Sequence, residues 1–131
     1  MRLLPLVEAW TIGLVVWGVA SPCLASASRL DFRDIEYRDQ GDEALVSGKA
    51  EIAGAIGIGG AVSDSVSLLH AAGAHCRPLG HETGAVRCIY NQMSFDGDAL
   101  DEVRWTTIVH GAGGRVTDVD VRREVDTRVI D

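Results

Sequence analysis

The sequence predicts an α+β fold: a short helix, or two, packed on one face of a three- to four-stranded antiparallel sheet. Three observations carry this. Ser63–Gly73 (SDSVSLLHAAG) continues from Val62 with Val66, Leu69 and Gly73 at three-to-four spacing, the stripe of a helix lying on a core. Glu102–His110 (EVRWTTIVH) and Arg115–Arg123 (RVTDVDVRR) alternate with period two about the loop Gly111–Gly114, as a half-buried hairpin does. Cys76 and Cys88 bracket a polar turn, which places them opposite one another if their flanking residues pair.

In chain order, residues 1–27 stand apart. Arg2 opens the segment, and the run from Ala9 to Ala20 is free of charge. Ala25-Ser26-Ala27 has the small-x-small pattern of a signal-peptide cleavage site. Cleavage is expected after Ala27, with Ala25 the second choice, leaving 28–131 as a single small domain. The alternative is an uncleaved inner-membrane signal anchor, since Ala9–Ala27 is close to the ~20 residues a bilayer requires. Pro22 and the small residues around it favour cleavage. Pro22 also sits badly before Cys23 for a lipidation signal. No second hydrophobic span follows, so no stable membrane span is expected after cleavage, and the expected location is periplasmic or secreted.

The next two segments read as extended chain. Ser28–Gln40 (SRLDFRDIEYRDQ) mixes apolar and charged residues without clear period, and reads as a bulged strand or an extended arm. Asp39–Asp42 (DQGD) is a turn signal. Ala44–Ile52 (ALVSGKAEI) alternates weakly and reads as a strand. Ala53–Val62 is glycine-rich but lacks both the G-x-G-x-x-G spacing and a following GK[ST]. It reads as a tight connector rather than a phosphate cradle. Ser63 is then the expected N-cap of the helix, Asp64 complements its dipole, and Gly73 ends it.

Ala85–Tyr90 has strand composition. Asn91–Asp101 (NQMSFDGDALD) reads as a polar loop turning at Asp96-Gly97, long enough to be functional or mobile, with Phe95 either plugging the core, the favoured reading, or forming an exposed contact. Val103, Trp105, Thr107 and Val109 share one face of the next strand. Thr117, Val119 and Val121 are expected inward on the last, and the tail from Glu124 is expected to fray.

Little in the composition points to catalysis. The chain carries 12 Lys and Arg against 19 Asp and Glu, a net charge of -7. Removing Arg2 and Glu8 with the signal takes one charge of each sign and leaves that balance unchanged. An acidic domain repels phosphate backbones, so no nucleic-acid partner is expected. There is no G-x-S-x-G nucleophile motif. Asp96, Asp98, Asp101 and Glu102 do not follow the twelve-residue calcium-loop pattern. His70 and His110 are isolated in sequence.

His75, Cys76, His81 and Cys88 are zinc-type ligands, but neither cysteine belongs to a C-x2-4-C knuckle, and adjacent His75 and Cys76 would point to opposite faces of a strand. In an exported chain a Cys76–Cys88 disulfide is the better reading. No catalytic residue, cofactor or metal ligand is therefore assigned. The function read from the residues is an exported, non-catalytic binding or structural module of the cell envelope, whose partner is an unknown envelope protein or peptide. The alternative is a small periplasmic metal-binding protein or minor enzyme using His75, His81 and nearby acids such as Asp98.

Ile58–Gly73 (IGGAVSDSVSLLHAAG) resembles the motif that opens a helix in the small SmpA/OmlA (BamE-type) envelope proteins: an aliphatic residue, a glycine, a short turn, then a helix with valine and leucines closed by a glycine. Gly60, Val66, Leu69 and Gly73 take those places. The resemblance implies helices on one face of a three- or four-stranded antiparallel sheet. It also implies a periplasmic protein that assists outer-membrane assembly or binds partners, not an enzyme. The helix here is about two residues longer than the motif's, and the cysteine pair lies outside the motif.

Overall fold

A computed structural model describes residues 29–39 and 41–130, apart from the side chain of residue 96. The expected signal segment 1–27, its cleavage site and Cys23 lie outside the described residues. Three helices, α1 (Phe32–Arg38), α2 (Asp42–Ala55) and α3 (Val62–Ala71), precede four strands, β1 (His75–Pro78), β2 (Val86–Asp96), β3 (Ala99–Ala112) and β4 (Arg115–Val129). The strands form an antiparallel meander in the order β1-β2-β3-β4.

Two segments expected to be extended are helical. In α1, Asp31 is the N-cap and accepts a hydrogen bond from the Arg33 amide at 2.9 Å. Asp34 and Arg38 lie at the ends that the helix dipole favours for their charges. Phe32 and Ile35, three apart, are fully buried. In α2, Asp42 and Glu43 occupy the first turn, and Ala44, Gly48 and Ile52 form a buried i, i+4, i+8 stripe. The weak period-two alternation of Ala44–Ile52 was a by-product of this helical stripe, whose small residues carry little hydropathy signal. Arg38 ties the two helices through Glu51 at 2.6 Å.

Helix α3 lies where it was expected, but its start is not held by Ser63. The N-cap is Ala61, which makes no side-chain cap, and the Val62 amide donates to Gly114 O at 2.9 Å. The β3–β4 hairpin thus supplies the acceptor. Gly59 N also donates to Val116 O, and Val116 N to Gly60 O, both at 2.8 Å, so the glycine-rich connector is laced onto the start of β4. Gly73, at φ 107°, ends the helix in the conformation that glycine tolerates best.

The core lies between the helices and one sheet face. Trp105, Thr107 and Val109 of β3 point into it, and register puts Cys88 and Tyr90 of β2 and Val121 of β4 on the same face. Phe32 stacks on Tyr90 with ring centroids 5.0 Å apart and meets Trp105 at 5.9 Å. Val116 is buried and Thr117 exposed, the reverse of the expected parity. The register shift explains this: His110 faces Asp118 but Gly111 faces Val116, so Thr117 is the extra residue of a bulge and every residue before it switches faces.

α2 can approach the sheet because residue 48 has no side chain. A Cβ there would overlap the indole of Trp105 and lie 3.1 Å from Ile35 Cγ2, whereas a Cβ at Gly54 in the same helix would meet nothing within 4 Å. The same substitution should therefore have opposite signs at the two sites. Gly54→Ala should stabilise by about 0.5–1 kcal/mol through helix propensity. Gly48→Ala should destabilise by about 1–2 kcal/mol, because overpacking a buried indole outweighs that gain. Urea denaturation of the two variants measures both. A stabilised Gly48→Ala would mean that α2 and Trp105 are not in contact.

Candidate partner-binding surface

Four places hold the side chains that could serve function. The first is the cysteine hairpin. Cys76 faces Cys88 in the β1–β2 register, their sulfurs lie at disulfide distance, 2.00 Å, and their Cα atoms are 4.0 Å apart. His75 faces Ile89 on the opposite sheet face, and His81 is exposed in the turn beyond β1. Asp98 lies in the β2–β3 turn, which begins after residue 96, seven positions along β2 from Ile89. At ~3.3 Å per strand residue this puts it roughly 23 Å from the His75 row. The structure does not bring His75, His81 and Asp98 together. Among the described residues no group of three or more His, Cys, Asp or Glu side chains is placed to hold a metal ion.

A second cluster ties this turn to the sheet. His110 Nδ1 and Glu82 Oε1 are 2.7 Å apart on the outer sheet face. The hydrogen bond to Glu82 raises the His110 pKa above its ordinary value, against the opposing effect of burial and with help from the nearby charges of Glu82, Asp118 and Asp120. Both side chains are explained by this contact, and neither has a free acid–base partner facing a pocket.

The third is a polar knot under α1. Glu36 Oε1 accepts from Trp105 Nε1 at 2.6 Å and from Arg123 Nε at 2.7 Å, and Oε2 accepts from the Arg123 guanidinium at 3.0 Å. The side chains of Arg123 and Glu36 are only 11% and 8% exposed. The Glu36 carboxylate holds the Arg123 pKa above its usual value, against desolvation. The knot fixes α1 to β3 and β4.

The fourth place is the end of the sheet that the helices do not reach. Helix cover stops at the row Tyr90–Trp105–Arg123, with Val103 the last buried side chain beyond it. From there β2, β3 and β4 run on together to the turn at Gly97-Asp98. Asn91–Asp101 is therefore not a loop but the end of two paired strands, from Asn91↔Arg104 to Asp96↔Ala99. Gly97, at φ 60°, opens a two-residue turn of the kind that matches strand twist. The tail does not fray: Val125 to Val129 remain paired with Val103 to Ala99.

Phe95 is 73% exposed and fills no core. Strand pleat puts it on the outer face with Met93 and Asn91, away from the helices, because Tyr90 two rows earlier points in. Of the eight large apolar side chains exposed among the described residues, six lie at this end: Tyr37, Met93, Phe95, Val125, Val129 and Ile130. On the inner face an open cleft of 670 Å³ lies between α1 and the projecting strands, lined by Arg33, Glu36, Tyr37, Gln92, Ser94 and Val103. Sequence reasoning singled out Phe95 and its segment but missed Tyr37 and Met93. The spacing of Phe32 and Ile35, three apart after a capping aspartate, was the signal that would have made α1 a helix and placed Tyr37 on its outward side.

Fold and surface together define an α+β domain with three helices on one face of a four-stranded antiparallel meander and a bare, partly apolar strand end. No helix among the described residues is long and apolar enough to cross a membrane. Comparison with protein-family profiles, with curated proteins and with solved structures gives no match.

Proposed function

We propose that this protein is an exported, non-catalytic binding module of the cell envelope that holds a protein or peptide partner at the projecting end of its sheet. The observation that carries the proposal is the concentration of exposed apolar side chains there. Single exposed apolar residues are ordinary on a folded domain, but six gather at one end of this sheet, Met93 and Phe95 on its outer face and Tyr37, Val125 and Val129 on the cleft side, a composition that suits a partner wrapping the sheet end. A location outside the cytoplasm is supported by the leader pattern of 1–27 and by the cysteine pair, since disulfides form and persist mainly in oxidising compartments. The resemblance of Ile58–Gly73 to the SmpA/OmlA envelope proteins, together with helices on one face of an antiparallel sheet, supports an assembly-type role.

Photo-cross-linking in the producing cell tests this. A cross-linkable residue at Tyr37, Met93 or Phe95 should give a discrete adduct with an envelope protein, and one at the exposed Ala53 of α2 should not. Met93→Ser with Phe95→Ser should reduce the adduct at Tyr37 at least about tenfold. It should leave the unfolding midpoint nearly unchanged, because both side chains are already in water. Equal adducts from α2 and from the sheet end, or none from either, would count against the proposal.

A further inference from the structure

We propose that β4 of one molecule pairs with β4 of a second copy, antiparallel and about a two-fold axis through Glu124, joining the two meanders into one continuous eight-stranded sheet. This interface lies on the opposite sheet edge from Met93 and Phe95 and shares Val125 and Val129 with the apolar sheet end described above.

Two observations select that axis. The first is the extent of the free edge. Strand β4 is the last strand of the sheet, so its outer backbone groups have no strand partner. Its start is covered, since Val116 exchanges hydrogen bonds with Gly59 and Gly60, and Arg115 bridges to Ala61. The open edge begins after the bulge, at Asp118, and runs to Val129, the last residue of the strand. Antiparallel pairing of that edge with itself is centred between residues 123 and 124, so a residue-centred axis falls on Arg123 or Glu124.

The second observation is charge. Asp118, Asp120, Arg122, Glu124, Asp126 and Arg128 alternate with the inner-facing residues and share the outer face. With the axis at Glu124, Asp120 faces Arg128 of the copy and Arg122 faces Asp126, each twice by symmetry. Only Glu124 meets its like. Moving the axis to Arg123 also forms attractive pairs, Asp118 with Arg128 and Arg122 with Glu124, but sets Asp120 against Asp126 twice. Moving it to Val125 sets Arg122 against Arg128 and Glu124 against Asp126. Directly opposed like charges destabilise strand pairs and opposite charges stabilise them. Of the two registers that use the free edge, the axis at Glu124 is thus the one with fewer like-charge contacts.

The inner face fits as well. Val119 meets Val129 and Val121 meets Thr127, so Val129, 73% exposed in the single chain, gains an apolar neighbour. Charged edges usually serve to repel other strands. Here the signs alternate, so the charges instead fix one register. Two copies at -7 each repel overall, and this strand is where that repulsion is locally reversed.

Cysteine cross-linking and sedimentation of the purified protein test the pairing. Glu124→Cys should form an intermolecular disulfide on mild oxidation, because position 124 faces itself. Asp118→Cys should not, since its counterpart lies roughly 40 Å away along the strand. Sedimentation should show a concentration-dependent dimer that Arg122→Asp with Arg128→Asp weakens at least about tenfold. Adding Asp120→Arg and Asp126→Arg to that variant should restore it. All these side chains except that of Asp120 are exposed, and the restored variant shows that loss of pairing is not loss of folding. A monomer at every concentration, equal cross-linking at 118 and 124, or no recovery in the charge-exchanged variant would overturn the proposal.

Discussion

Replacing Glu36 by alanine is expected to lower the unfolding free energy by ~3 kcal/mol or more, among the largest effects of any single polar substitution in this domain. The reason is what remains behind. Arg123 is nearly buried and always charged, and its guanidinium is held by both oxygens of Glu36. Without the carboxylate that charge stays desolvated and unpaired. Trp105 Nε1, buried among Phe32 and Gly48, loses its acceptor at the same time.

Glu36→Gln should cost less, because an amide oxygen still accepts from the indole while the charge pairing is lost. Glu36→Met with Arg123→Met should recover much of the lost stability, since removing both members of a buried ion pair leaves no orphan charge. Urea denaturation of the four proteins orders them as parent, double variant and Gln variant, with the Ala variant lowest. A Glu36→Ala protein within 1 kcal/mol of the parent would show that Arg123 reaches water and that the knot is a surface contact.

How far the sequence disclosed this arrangement depends on side-chain size. Leu69 and Val66 made α3 legible because large aliphatics on one stripe leave a strong periodic signal. The stripe of α2 is Ala44, Gly48 and Ile52, two of them small. Its apolar content follows from the bulk of Trp105 opposite, which leaves room for nothing larger than glycine at 48. That complementarity is tertiary and cannot be read along one segment. α1 is short, and four of its seven residues are charged, so Phe32 and Ile35 look like scattered hydrophobics until the sheet beneath them is known.

The strands show the same division. The inward set Val103, Trp105, Thr107 and Val109 follows from alternation alone. The reversal at Thr117 does not, because a bulge changes parity without changing composition. Likewise Asn91–Asp96 reads as a loop because neither of its faces meets the helices, so the alternation that marks a half-buried strand is absent. The feature that hid this segment as structure, apolar side chains without a core to enter, is the one that marks it as a surface for a partner.

Loss of the cysteine pair is the second large effect expected. Cys76 and Cys88 are twelve residues apart in sequence and close the β1–β2 turn. On the chain-entropy account, cross-linking a loop of this length stabilises by about 3 kcal/mol. In this fold the loss would fall unevenly. Strand β1 has only four residues, and its pairing with β2 ends at Pro78↔Val86. Besides that ladder it is held by α3, whose Leu69 is in the core and whose Val66 carbonyl lies 4.0 Å from Cys76 Sγ.

Cys76→Ala with Cys88→Ala should therefore release the edge of the sheet first. Amide exchange should speed up at Arg77 and Arg87 more than at Thr106 or Val121, and the denaturation midpoint should fall. Reductant should lower the midpoint of the parent by a similar amount and leave the double variant unmoved. A parent protein indifferent to reductant would show that the ladder and α3 hold β1 without the staple. It would also remove one of the two supports for placing this chain outside the cytoplasm.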